Sequence, residues 1–184
     1  MVPVGPLVQD PDYEENNLQE MEIIKWLDKK GKNSAVLVSF GSEYFLSREE
    51  MAEIADGLEK SEANFIWVVR FPNREEKIEL KEKLPEGFVE RISSMERGTV
   101  VEVWAPQARV LAHDAVGGFL DQPLKARLVE DVGIGIEARR KENGELVKEE
   151  IASVIKEVMK KKNGEKVRRK AREMSERVYK KERW

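Results

Sequence analysis

Residues 34–71 read "SAVLVSFGSEYFLSREEMAEIADGLEKSEANFIWVVRF", and their pattern decides the fold. Ser34 to Phe40 is a continuous apolar run that stops at Gly41-Ser42, the pattern of a strand covered on both faces. Asn64 to Phe71, "NFIWVVRF", repeats it. Between them Ser47 stands three residues before Glu50, a capping box. Met51, Ile54, Ala55 and Leu58 then follow at helical spacing. Strand, helix and strand in that order predict a parallel pair joined by a right-handed crossover.

The same alternation continues on either side. Upstream, "MEIIKWLD" from Met21 to Asp28 reads as a short helix. The opening "VPVGPLVQDPDYEENN" holds three prolines and no period, so residues 1–20 are expected to be an extended linker. Downstream, "NREEKIELKEKLPEGFVERISS" is charged and partly helical, and Gly98 to Trp104 forms a third strand. "PQARVLAHDAV" makes a short helix, "GGFL" a fourth strand and "QPLKARLVEDV" another helix. "GIGIEA" reads as a short strand. "VKEEIASVIKEVMKK" is amphipathic, with Ile151, Val154, Ile155 and Val158 on one face. The highly charged tail continues as a helix with a solvated face. The expectation is one α/β domain over residues 21–184, a Rossmann-like parallel sheet with helices on both faces.

Composition excludes several functions. The net charge of −3 balances 33 basic against 36 acidic residues, so there is no one-sided basic field for nucleic acid. No apolar run reaches membrane-spanning length, and "MVPVGPLVQD" lacks the start of a signal peptide. With no cysteine and a lone histidine, disulfides, thiolate metal sites and multi-histidine metal sites are ruled out. A cytoplasmic protein without nucleic-acid or membrane partners is expected.

In doubly wound sheets ligands sit beyond the carboxyl ends of the strands, which singles out three groups of residues. Ser42 follows Gly41, where backbone amides and a hydroxyl could meet a phosphate. An ordinary turn is the stronger reading on spacing alone. Trp104 could stack on a base, with the Ala105 backbone reading its edge and Gln107 bonding a ribose hydroxyl, or Trp104 could be core. Asp121 and Gln122 suit sugar hydroxyls, while Asp121 before Gln122-Pro123 also suits a helix N-cap. His113 reads as a helix-surface or core residue rather than a base.

Together, "SAVLVSFGS", "FIWVVRF", "LPEGFVER", "WAPQARVLAHDAVGGF" and "DQPLKARLVEDVGIGIE" resemble the sugar-donor half of the plant UDP-dependent glycosyltransferases, enzymes of the GT-B fold. "SEYFLSREEMAEIADGLEKSEANFIWVVRFP" is most similar to the branch that extends flavonoid or terpenoid glycosides. The resemblance implies that Trp104 stacks on uracil, Ala105 reads its edge, Gln107 contacts the ribose and Ser42 the diphosphate. It implies that Asp121 and Gln122 hold the donor sugar. The reaction implied is inverting transfer of glucose from UDP-glucose to a hydroxyl, with no metal or cofactor beyond the donor itself. The N-terminal acceptor-binding half of the enzyme is the implied partner.

One departure stands out. The family's signature box, here residues 104–122, is internally shortened between Leu120 and Asp121. The missing stretch has the size of one strand–helix unit, about 30 residues, and would bring further phosphate and ribose contacts. The family's catalytic histidine and aspartate lie in the acceptor half, and His113 does not match that position, so no catalytic residue is assigned in this chain. The alternative is an inactive α/β module that binds UDP weakly or serves only as an assembly partner.

Overall fold

A computed structural model describes residues 18–41, 44–71, 80–102, 105–121 and 123–181. Twelve elements follow in order. They are α1 (Leu18–Asp28), β1 (Ala35–Ser39), α2 (Arg48–Ser61), β2 (Asn64–Val69), α3 (Leu80–Lys83), α4 (Phe88–Ser94), β3 (Gly98–Glu102), α5 (Gln107–Ala112), β4 (Val116–Leu120), α6 (Pro123–Val132), α7 (Lys148–Lys160) and α8 (Lys162–Lys181).

The four strands form one parallel sheet in the order β3-β2-β1-β4. β1 and β2 are the parallel pair expected from the sequence, and β3 joins β2 in parallel. Alternation of side chains builds a core on each face. Val36 and Val38 of β1 and Phe65, Trp67 and Val69 of β2 point to one face, where α2, α4 and α7 supply Ile54, Leu58, Phe88, Ile92, Ile151 and Ile155. Ala35, Leu37, Ile66 and Val68 point to the other, against Ile23 and Leu27 of α1 and Val110 of α5. Burial on both faces is why β1 and β2 read as apolar runs rather than alternating ones.

The capping box forms as its spacing predicts. The Ser47 hydroxyl accepts from the Glu50 amide at 3.1 Å, and the Glu50 carboxylate accepts from the Ser47 amide at 3.1 Å. Gly41, just past β1, takes φ 78°, a left-handed turn that explains a glycine at this strand end.

One expectation is corrected. The "GIGIEA" segment, residues 133–138, is not a strand. It opens on a turn, with Gly133 at φ 77°, and a strand exists only where a neighbour completes its hydrogen-bond ladder. β1 occupies one side of β4, and no strand among the described residues lies on the other.

Candidate functional site

The chain runs from β1 outward to β3 and then returns past β1 to β4, so the strand order reverses between β1 and β4. Such a reversal leaves a crevice at the carboxyl ends of the strands, because the connecting segments leave in opposite directions. Phe40 and Gly41 follow β1, Ala105 to Gln107 follow β3, and Asp121 follows β4. Three of the candidate site residues therefore stand at this edge.

Ala105 is buried and belongs to the α1/α5 core, and its carbonyl accepts from the Gln107 amide at 2.7 Å. Gln107 opens α5, and its Nε2 donates to the Ser39 hydroxyl at 2.9 Å. The buried end of β1 thus orients the carboxamide and leaves its Oε1 to accept from a ligand hydroxyl. Asp121 is half-buried and lines a cavity of about 690 Å3 that follows the length of β4. Gln107 does not line that cavity, so Gln107 and Asp121 belong to different parts of the edge. Ser42, Trp104 and Gln122 lie outside the described residues.

Arg140 went unnoticed in the sequence. It sits in a loop of mixed charge, "EARRKENGE", where nothing local distinguishes it from its neighbours. In the fold it lines the cavity and its Nη1 donates to Glu50 Oε1 at 3.3 Å and to the Gly144 carbonyl at 2.9 Å. Tyr44, three residues after Gly41, donates its hydroxyl to the same carboxylate oxygen at 2.7 Å. Burial pushes the Glu50 carboxyl up, but the bonds from Tyr44, Ser47 and Arg140 outweigh it and hold the group below its ordinary value. The Tyr44 hydroxyl is raised by its bond to that carboxylate and by burial, against the opposing pull of Arg140. The Arg140 Nε and Nη2 atoms are buried and have no hydrogen-bond partner among the described residues. This triad ties the loop after β1 to the loop before α7.

His113 lies at the opposite end of the sheet. Its Nδ1 accepts from the Ala115 amide at 3.1 Å, so Nε2 carries the proton and meets Asp28 Oδ1 at 3.1 Å. The neighbouring Asp114 and Ala115 carbonyls bond the amides that lead into β1, marking the amino edge. A five-residue strand rises about 16 Å, too far for this ring to reach a group at the carboxyl edge. It pins α1 to the loop before β4. Among the described residues there is no cluster of three or more metal-ligating side chains, and no helix is long and apolar enough to cross a membrane.

Sheet order, helical cover on both faces and polar side chains gathered at one edge define a doubly wound α/β domain whose candidate site lies at the carboxyl ends of its strands. Residues 8–138 match the family described as UDP-glucoronosyl and UDP-glucosyl transferase, and the chain belongs to that family. It is similar to mogroside IIIx synthase of Siraitia grosvenorii, with 47% identity over 86% of this chain and 38% of that protein. It is also similar to a β-D-glucosyl crocetin β-1,6-glucosyltransferase of Gardenia jasminoides, with 48% identity over 86% of this chain and 41% of that protein. Among solved structures, Phytolacca americana UGT2 complexed with UDP-2fluoro-glucose and pterostilbene superposes with a TM-score of 0.79 at 34% identity. That superposition covers 95% of this chain and 42% of the other. The fold is accordingly part of the GT-B fold, and the chain spans about two fifths of the length of the curated relatives it matches.

The alignment to the Siraitia relative also carries a length difference. It runs over 184 positions yet takes in 86% of a 184-residue chain, about 158 residues. About 26 positions of the relative therefore have no counterpart here.

Proposed function

We propose that residues 21–184 form the donor-binding part of a UDP-glycosyltransferase that moves glucose from UDP-glucose to a hydroxyl of a plant flavonoid or terpenoid glycoside. The observation that carries the reading is the placement of Ala105 and Gln107 at the carboxyl edge, with the Gln107 carboxamide steered by Ser39. Membership of the transferase family and the likeness to a mogroside IIIx synthase and to a β-D-glucosyl crocetin β-1,6-glucosyltransferase support it. In this reading Trp104 stacks on uracil, Ala105 meets its edge, Gln107 accepts from the ribose and Ser42 meets the diphosphate. Asp121 and Gln122 hold the sugar. The acceptor and the general base come from the other half of the enzyme, the transfer uses no metal, and the compartment is the cytoplasm. The relatives lend no support to an inactive module.

Calorimetric titration of the chain with UDP tests this. Saturable binding is expected, with ADP about tenfold weaker or worse because the edge contacts read uracil. Gln107→Ala should cost about 1 kcal/mol of UDP affinity, and Trp104→Ala about 1–3 kcal/mol. UDP binding no tighter than ADP would overturn the reading. A Trp104→Ala protein that loses about 3–5 kcal/mol of stability, but binds UDP unchanged once folded, would remove the stacking role alone.

A further inference from the structure

Two nitrogens of Arg140 carry an unmet demand. Its Nη1 donates to Glu50 Oε1 at 3.3 Å and to the Gly144 carbonyl at 2.9 Å, while Nε and Nη2 are buried and meet no acceptor among the described residues. Nε and Nη2 share one edge of the planar guanidinium, and their N–H bonds point the same way. Arg91 shows what that edge does when it is satisfied. Its Nε and Nη2 grip the two carboxylate oxygens of Glu59 at 2.8 and 2.9 Å. Burying a donor without a partner costs its desolvation, and more so for a charged group. The open edge of Arg140 therefore fits two oxygens of one anion.

Its place in the fold says which anion. Arg140 lines the cavity together with Phe40 at the end of β1 and with Leu120 and Asp121 at the end of β4. It thus stands at the carboxyl edge, where the strand order reverses. The other lysine and arginine side chains that line the cavity are committed elsewhere. Lys32 pairs with Asp114 at 3.5 Å and Arg172 donates to Asn33 at 3.1 Å, both toward the amino edge, and Arg168 donates to the Val158 carbonyl. Glu50 does not exhaust the charge of Arg140. It already accepts from Tyr44 at 2.7 Å and from the Ser47 amide at 3.1 Å, and its contact with Arg140 is the longest of the three. Glu50 and Gly144 hold the guanidinium by Nη1 alone and fix the direction of its other edge.

We propose that Arg140 binds the diphosphate of the nucleotide, taking two oxygens of one phosphate on its Nε–Nη2 edge. A carboxylate would fit the same fork, and the surroundings favour the diphosphate. Gly41 turns the chain at the end of β1, and Ser42, the candidate hydroxyl for the diphosphate, follows it directly. Two residues further on, Tyr44 packs its ring against Phe40 at 6.2 Å and donates to Glu50, which faces Arg140. The turn and the guanidinium are thus parts of one connected edge. The Arg140 side chain keeps 22% of its surface open, so a phosphate arriving through the cavity meets it there. Lysine would supply the charge but not the planar pair of donors. The uridine part of the ligand rests on the UDP-glycosyltransferase reading; the anion does not.

The test titrates the full 184-residue chain with UDP, uridine and ADP, with melting measured on every variant. UDP should bind about tenfold or more tighter than uridine, the scale of charge-assisted hydrogen bonds. Arg140→Gln should erase most of that gap and leave uridine binding unchanged, and Arg140→Lys should recover part of it. Raising the salt concentration should narrow the gap in wild type more than in Arg140→Gln. If Arg140→Gln melts too early to titrate, Arg140→Lys, which keeps the charge facing Glu50, carries the comparison with wild type. A gap that survives in the variants, once the folded fraction is allowed for, would overturn the proposal and leave Arg140 as a brace between two loops. So would wild-type protein that binds UDP no tighter than uridine, an outcome that leaves the uracil reading standing. ADP bound as tightly as UDP, with both weakened alike by Arg140→Gln, would sink the uracil reading and support the diphosphate contact. No binding of either nucleotide would overturn both.

Discussion

Glu50 does three jobs with one carboxylate: it closes the capping box of α2, accepts from Tyr44 and faces Arg140. Only the first is local, and only the first follows from spacing. Glu50→Gln keeps an acceptor for the Ser47 amide but removes the charge opposite a guanidinium whose other nitrogens have no partner among the described residues. The expected cost at pH 7 is about 1–3 kcal/mol in urea denaturation. The sign of its pH dependence follows from the direction of the shift. A carboxyl held below its ordinary value of 4.5 in the folded state contributes stability that is fully present above that value. The contribution disappears as pH falls through the folded value. The gap between wild type and variant should therefore be constant near neutrality and close on acidification below about pH 4. A gap that persists undiminished at pH 3 would show that the charge is not its source.

Between elements, the contact of α2 with α7 shows packing overruling propensity. Gly57 sits in the middle of α2, where alanine would favour the helix by about 1 kcal/mol. A Cβ at this position would lie 2.8 Å from Ile151 Cγ2 and 3.1 Å from the Lys148 carbonyl oxygen, so the glycine is what lets the two helices approach. Gly57→Ala is expected to destabilise by about 1–3 kcal/mol, the cost of overpacking a close contact. Adding Ile151→Val, which alone costs about 0.5–1.5 kcal/mol, should be less than additive in denaturation because it vacates the space the new methyl needs. If Gly57→Ala raises the melting temperature, the close approach does not constrain the helix pair. Nothing in "REEMAEIADGLEKS" reveals this, since Ile151 is 94 residues away along the chain.

Across the whole molecule, order is unevenly shared. β1 is buried along its length between β2 and β4, whereas α6 leaves Leu128 64% exposed and Val132 half-exposed. Exchange from the β1 amides should require unfolding of the whole domain, while α6 should open locally. Hydrogen exchange at increasing denaturant should show α6 amides exchanging orders of magnitude faster than those of β1. A single common rate for both would mean the domain opens only as one unit.

The sequence by itself determined the strand–helix–strand unit, the capped start of α2, the parallel sheet and the family. These rest on short-range patterns: apolar runs, helical spacing, a side chain reaching three residues along, and short contiguous motifs on either side of the break at Leu120–Asp121. It also placed Ala105, Gln107 and Asp121 at strand ends. Tertiary structure alone decided that Gln107 is steered by Ser39, that Arg140 joins Glu50 and Tyr44, and that His113 stands at the far edge of the sheet. It also decided that residues 133–138 are not a strand, although their composition suits one. A helix satisfies its backbone from within, but a strand borrows its hydrogen bonds from a neighbour. Beside β4 the described chain provides none, and no local signal could have said so.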